Sequence, residues 1–257
     1  MKFNELDEKM RVYETAHDHC VLPEMHIITR LDGRCFTTLT KDKHKFDAPY
    51  DPKFRDMMLE TVKHLMQCGF KVLYGYTYSD EISLLLDVND NTFERKERKL
   101  NSVLAGEASA KFSLLLGALG VFDCRVCQLP NRELVIDYFR WRSEDAYRNS
   151  LNAYCYWTLR KEGASPKYSA ATFIKMSAAE KTEFLLKKGI NFNELPSWQK
   201  RGMGIHWESY EKKAINPITG ESVKANRKRL KVDLELPVKD HYSDFIGNVL
   251  LKTNRDA

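Results

Sequence analysis

Asp32 in MHIITRLDG and Asp80 in YTYSDEISLLL each stand at the end of a β-like run, and their chemistry depends on whether those ends lie side by side. Two carboxylates brought together repel unless a cation neutralises them, and hard oxygen ligands suit Mg²⁺. Two such ions can activate an attacking hydroxyl and stabilise leaving phosphate oxygens, so the pair would suit phosphoryl transfer. Taken singly, Asp32-Gly33 reads as a turn signal and Ser79-Asp80-Glu81 as a hairpin tip. Only equivalent positions on aligned strands turn them into a metal site. Arg30, two residues before Asp32, falls on the same face of an extended strand. There its guanidinium can meet a phosphate or an ordinary ion-pair partner.

The elements that must position this pair are legible from periodicity and turn chemistry. An amphipathic helix over 4–19 precedes a strand over 25–33. A helix over 52–68 closes at Gly69, and 70–88 forms two β segments meeting around Ser79-Asp80-Glu81. A helix over 92–116 and the strand VFDCRVCQL follow, then a long helix over 131–161 ending at Gly163. A shorter helix over 177–188 begins at Ser177, with Glu180 completing a capping box. Two strand-like runs, 203–212 and 229–236, join through NPITGE, and the final twenty residues carry no strong pattern. The order predicts an α+β fold with a ferredoxin-like βαββαβ core, additional helices and a C-terminal β-hairpin. Residues 1–130 form the core, 131–236 a helical and hairpin extension packed as one unit with it, and 237–257 a tail. The helical crossover makes the strands at 25–31 and 71–78 parallel in one sheet. Asp32 and Asp80 should then share a sheet edge.

The chain has 257 residues, 43% hydrophobic and 11% aromatic, enough for a packed core and too aromatic for disorder. No apolar run approaches the length of a membrane helix, and no apolar stretch follows the charged N-terminus; a soluble, cytoplasmic protein is expected. Six cysteines without a scaffold pattern read as reduced thiols. Cys124 and Cys127 sit within a strand, and no second C-x-x-C or nearby histidine pair completes a zinc site. The net charge of +5 gathers in Arg95 to Lys99, in Lys200-Arg201 and in KANRKRLK from Lys224 to Lys231. Each cluster alone reads as a solvated face. Interleaved with Trp198, Trp207 and Tyr210, they point towards nucleic acid.

RLDGRCF (30–36), YTYSDEISLLL (76–86), FDCRV (122–126), WRSEDAYRNSLNAYCYW (141–157) and NELPSWQKRG (193–202) stand in an order that resembles the tRNA(His) guanylyltransferase superfamily. The resemblance spans roughly 4–210. It implies a palm-like fold, shared with conventional polymerases and nucleotide cyclases, and a 3′-5′ polymerase that adds nucleotides to the 5′ end of tRNA. It also implies two Mg²⁺ ions held by Asp32, Asp80 and the Gly33 carbonyl, with Glu81 either behind them or merely structural. Nucleoside triphosphate would meet Arg30, Gly33, Arg34, Cys35, Phe36, Ser79, Lys96 and Lys99, and RNA would meet Asn149, Lys200, Arg201, Lys228 and Arg229. ATP or GTP would activate the 5′ end, and a homotetramer is implied.

Two departures refine this. Tyr147 stands where the tRNA(His)-specific enzymes carry a histidine, and Ala48 replaces a family lysine, although Lys45 is close. Tyrosine cannot supply imidazole proton chemistry near neutral pH. Both departures match the guanylyltransferase-like branch, whose members repair 5′-truncated tRNAs against a template. The alternatives are tRNA(His) guanylyltransferase proper, a palm-type nucleotide cyclase and a non-catalytic RNA-binding protein.

Overall fold

The computed structural model describes residues 2–215 and 222–252. Helix α1 (Phe3–Thr15) is followed by β1 (His26–Gly33), a π-helical turn (Thr38–Lys43), α2 (Pro52–Leu65), β2 (Val72–Tyr78) and β3 (Glu81–Leu86). A short 3₁₀ turn (Thr92–Arg95), α3 (Glu97–Leu116) and β4 (Phe122–Leu129) complete the first unit of the order. Then come α4 (Arg132–Lys161), α5 (Pro166–Thr172), α6 (Ala178–Lys187), α7 (Ser197–Arg201), β5 (Met203–Ile215), β6 (Ser222–Asp233) and α8 (Asp240–Lys252).

Six strands form one sheet in the order β4-β1-β3-β2-β5-β6, and every neighbouring pair is antiparallel. Strands β1 and β2 do point the same way, because both pair against β3, which lies between them. The period of two divides the sheet's faces. Ile27 and Leu31 join Met58, Val62, Leu104 and Phe112 in one buried cluster with α2 and α3, whereas Ile28 joins Tyr74, Phe139, Tyr242 and Ile246 in a second with α4 and α8. At 30 residues α4 is about 45 Å long. Its C-terminal half gathers a third cluster from Leu151, Cys155, Phe173, Leu185 and Phe192.

Local chemistry explains the helix starts. Asp51 accepts from the amides of Lys53 and Phe54 with Pro52 in the first turn, Asn131 caps α4, and Ser177 and Glu180 make the expected capping box on α6. Six elements differ from the sequence reading. The helix expected over 92–116 begins only at Glu97, because Phe93, Glu94 and Arg95 take left-handed φ values of 53°, 55° and 59°. The tail contains α8, whose Tyr242, Ile246 and Val249 follow a helical spacing that the sequence reading missed. The short helices α5 and α7 were also unforeseen. The terminal hairpin strands run longer, and the turn NPITGE at 216–221 lies outside the described residues.

Candidate active site

Asp32 and Gly33 do not form a turn: both belong to β1, with Asp32 opposite Glu81 and Asp123, and Gly33 opposite Phe122. The sheet continues past them because β3 and β4 flank β1 on both sides, which outweighs the local Asp-Gly preference. Strands β2 and β3 meet in a two-residue hairpin of Ser79 and Asp80 between the paired Tyr78 and Glu81. Ser79 has φ 53°, a left-handed conformation uncommon for a side chain that is not glycine. The Gly33 amide donates to the Asp80 carbonyl at 3.1 Å and the Arg34 amide to the Val121 carbonyl at 2.8 Å. These bonds lock the end of β1 to the hairpin tip and to the start of β4, so Asp32 and Asp80 share one sheet edge.

The electrostatics make Asp80 the responsive member. Burial pushes its carboxyl up to about 6, with the nearby charges of Asp32 and Glu81 adding to that rise and the Ser79 hydroxyl opposing it. That hydroxyl donates to Asp80 Oδ1 at 3.0 Å. Glu81 is held differently. It pairs with Arg30 and lies 3.8 Å from Arg142, which is only 5% exposed. Arg30 thus has Glu81 as its ion-pair partner, one of the two roles its place on the strand offered.

Phe36 belongs to the core and also borders a cavity beside Asp80. It is 2% exposed, packed against Phe54, Phe112 and Phe122, and its ring covers the Gly33 Cα so closely that a Cβ there would fall 2.5 Å away. Its side chain is core, and only glycine fits beneath it. Arg34 and Cys35 form an exposed turn between Gly33 and Phe36, and Cys35 has φ 59°.

Lys96 and Lys99 do not join the aspartates within one chain. Lys96 precedes α3 beside Cys20, its ammonium 2.8 Å from Glu94 and 3.8 Å from Asp18; Lys99 lies over the Phe93 ring. Because β3 runs away from the Asp80 hairpin, α3 must start at the far edge of the sheet and return over about 30 Å. Lys96 stands at the N-cap position of α3 with extended φ and ψ, just outside the helical turns that carry Lys99.

A cavity of about 330 Å³ abuts Asp80 and is walled by Tyr50, Tyr78, Trp157 and Trp198, with Asn149 and Lys41 on its lining. Asn149 donates to Asp145 at 3.2 Å while facing this space. Sequence reasoning missed Lys41, whose ammonium donates to the carbonyls of Asp47 (2.8 Å) and Pro49 (3.4 Å) and is pulled below the usual lysine range by burial. Pro49 and Tyr50 line the same cavity. Tyr147 packs against Phe192, with the Arg201 guanidinium 4.5 Å above its ring.

Basic residues expected on RNA have partners in the chain. Arg201 also pairs with Glu144 at 3.2 Å, the Lys200 ammonium donates to the Asn193 carbonyl at 2.7 Å, and Arg229 pairs with Glu208 at 2.7 Å. Lys228 is exposed on β6. Cys124 and Cys127 are partly buried thiols on β4, both raised by burial, as strand packing requires.

The family profile described as tRNAHis guanylyltransferase matches residues 7–130, and that of the Thg1 C terminal domain matches 133–247. A tRNA(His) guanylyltransferase of Schizosaccharomyces pombe is 32% identical over 192 residues, covering 71% of this chain and 73% of that protein. One of Debaryomyces hansenii is 27% identical over 251 residues, covering 92% and 93%. The solved bacterial tRNA(His) guanylyltransferase (Thg1)-like protein in complex with GTP superimposes with a TM-score of 0.75 at 29% identity, over 96% of this chain and 99% of that one. With both profiles spanning most of the chain and a site held on the same fold, this protein belongs to the tRNA(His) guanylyltransferase family of nucleotidyltransferases.

Proposed function

We propose that this chain adds nucleotides in the 3′-5′ direction to the 5′ end of tRNA, repairing truncated ends against a template. The observation that carries the reading is the pairing of Asp32 and Asp80 at one sheet edge, with Asp80 also facing an aromatic-walled cavity. A purine ring suits such walls. Solved relatives in complex with GTP and with ATP support nucleotides as the occupants. The βαββαβ order and the strand order β4-β1-β3-β2 support the palm-like, ferredoxin-like reading of the core.

Among the described residues there is no group of three or more His, Cys, Asp or Glu side chains that could hold a metal ion. Mg²⁺ does not need one: it is commonly held by one or two carboxylates, with substrate phosphates and water completing its shell. The raised Asp80 carboxyl marks a place where negative charge is disfavoured and a cation would be welcome. Asp32, Asp80 and the Gly33 carbonyl would hold two Mg²⁺ ions. When bound, such ions supply charge neutralisation at both the attacking and the leaving oxygens. The chain's own contribution is orientation. The Gly33–Asp80 hydrogen bond fixes the separation of the carboxylates, Ser79 orients Asp80, and Arg30 with Arg142 keeps Glu81 from competing as a ligand. In the reaction, a 5′-monophosphate is first activated by ATP or GTP, releasing pyrophosphate. The 3′-hydroxyl of the incoming nucleotide then attacks the activated 5′ phosphate, and the nucleoside monophosphate leaves. A homotetramer belongs to this proposal, and any contact of Lys96 or Lys99 with nucleotide at Asp80 would then come from another copy.

Tyr147 favours general repair over service to tRNA(His) alone, because a phenol packed on Phe192 cannot act as an imidazole. The names of the relatives favour tRNA(His) guanylyltransferase proper as the second reading. The deciding assay incubates the protein with Mg²⁺, labelled nucleotides, and either tRNA(His) lacking its extra 5′ guanosine or other tRNAs lacking their first nucleotide. Templated extension of the second group, lost in Asp80→Ala, supports repair; extension of tRNA(His) alone supports the second reading. A cyclic nucleotide product, or binding without extension, would overturn both.

A further inference from the structure

Helix α4 has a second wall. Asn149, Ala153 and Trp157 line the cavity at Asp80, while Asn152 and Tyr156, from the neighbouring stripe, line a separate cleft of about 310 Å³ between α4, α5 and α6. Across that cleft lie Lys181, Ser169, Phe173 and Ile174, and no carboxylate contributes to its lining. Lys181 has no ion-pair partner among the described residues; its ammonium donates to the neutral Asn152 Oδ1 at 2.9 Å. Ser169 is 0% exposed, and its hydroxyl has no hydrogen-bond partner among the described residues. A buried hydroxyl left unpaired is costly and rare, so its persistence on a cleft wall signals a ligand atom that completes it.

We propose that this cleft binds the phosphate of a nucleotide unit. Lys181 supplies the charge, the Asn152 amide and the Ser169 hydroxyl donate to phosphate oxygens, and Phe173 with Ile174 provides an apolar wall for the sugar or base. One cation with neutral donors matches a single phosphate rather than a triphosphate. Two sources share that chemistry: a backbone phosphate of the bound RNA, which rests on the proposed tRNA substrate, or a free nucleoside monophosphate, which does not.

The full-length protein and its Lys181→Gln and Ser169→Ala variants separate these sources. Binding of tRNA would be measured by fluorescence anisotropy across a salt series, and binding of AMP by calorimetry in Asp80→Ala backgrounds, so that the catalytic cavity is compromised equally throughout. If the source is RNA, Lys181→Gln weakens tRNA binding about threefold to tenfold and lowers the log–log salt slope by about one, with the KM for nucleotide unchanged. If the source is free nucleotide, AMP binding falls in both variants while tRNA binding holds. Ser169→Ala provides the control on folding. Removing an unpaired buried hydroxyl should leave the melting temperature equal or higher while ligand binding drops. Unchanged binding of both tRNA and AMP in both variants would overturn the proposal, as would a Ser169→Ala protein that melts lower yet binds normally. Loss of 5′ extension in Asp80→Ala alone tests the catalytic reading separately.

Discussion

Asp80 pays for its position with an ionisation that burial opposes. Its folded carboxyl titrates at about 6 against 3.8 for the free group, so the folded state binds the proton more tightly than the unfolded state. The contribution of Asp80 to stability without metal is therefore greatest below about pH 4, falls as pH rises towards 6, and stays low above it. Asp80→Asn should raise the stability of the metal-free protein at pH 7–8 by about 1–3 kcal/mol, with little effect at pH 4, and should abolish nucleotide addition. Urea unfolding at the two pH values, in EDTA, checks this; an equal change at both would show that burial of the charge is not the cause. At Gly33 the same scale shows steric control. Gly33→Ala sets a methyl against the Phe36 ring and should cost about 1–3 kcal/mol. Phe36→Ala alone should cost about 3–5 kcal/mol, and the two losses should add to less than their sum, because the clash vanishes with the ring. The glycine's place beside Asp32 was legible in RLDG; the ring above it was not, since Phe36 reads equally well as a ligand contact until its neighbours are known.

Among the elements, the approach to α3 is the most constrained. Three consecutive left-handed residues, one of them phenylalanine, hold only because the Arg95 guanidinium donates to the carbonyls of Val21, Leu22, Met25 and Val88. Lysine offers a point charge without the planar fork, so Arg95→Lys should lower stability by about 2–4 kcal/mol. Addition at a permissive temperature should persist, because this turn lies at the far edge of the sheet from Asp80. A melting curve paired with an extension assay checks both halves, and activity lost at a temperature where the variant remains folded would tie the turn to the site. The sequence showed Arg95 as one more residue in a basic run, since its buried role depends on carbonyls of Val21, Leu22 and Met25, 70 to 74 positions earlier. The β2–β3 hairpin was more legible: Ser-Asp between two β-rich runs marks a turn whichever strands surround it.

At the scale of the whole molecule, α8 closes the second core cluster. Tyr242, Ile246, Val249 and Leu250 bury against it, and the Tyr242 and Tyr74 hydroxyls are 3.0 Å apart. Truncation after 236 should therefore expose the α4 face of the sheet and lower stability by several kcal/mol, on the order of 2 for each large side chain withdrawn. Size-exclusion chromatography and thermal melting check this, and a truncated protein that remained monodisperse and melted normally would make the helix dispensable. The sheet unites the sequence's two halves, since β5 pairs with β2 and carries the terminal hairpin beyond the core.

Local rules determined most of the strands and the longer helices, the hairpin at Asp80, the cap at Ser177, and the shared direction of β1 and β2, because periodicity, turn residues and crossover handedness act over short stretches. Only the tertiary structure decided that β3 lies between those strands, that Arg30 serves Glu81, that Phe36 is core, and that Lys96 and Lys99 stand at the opposite edge from the aspartates. Each of those outcomes depends on partners distant in sequence, where pairing and packing choose among conformations that local preference leaves open.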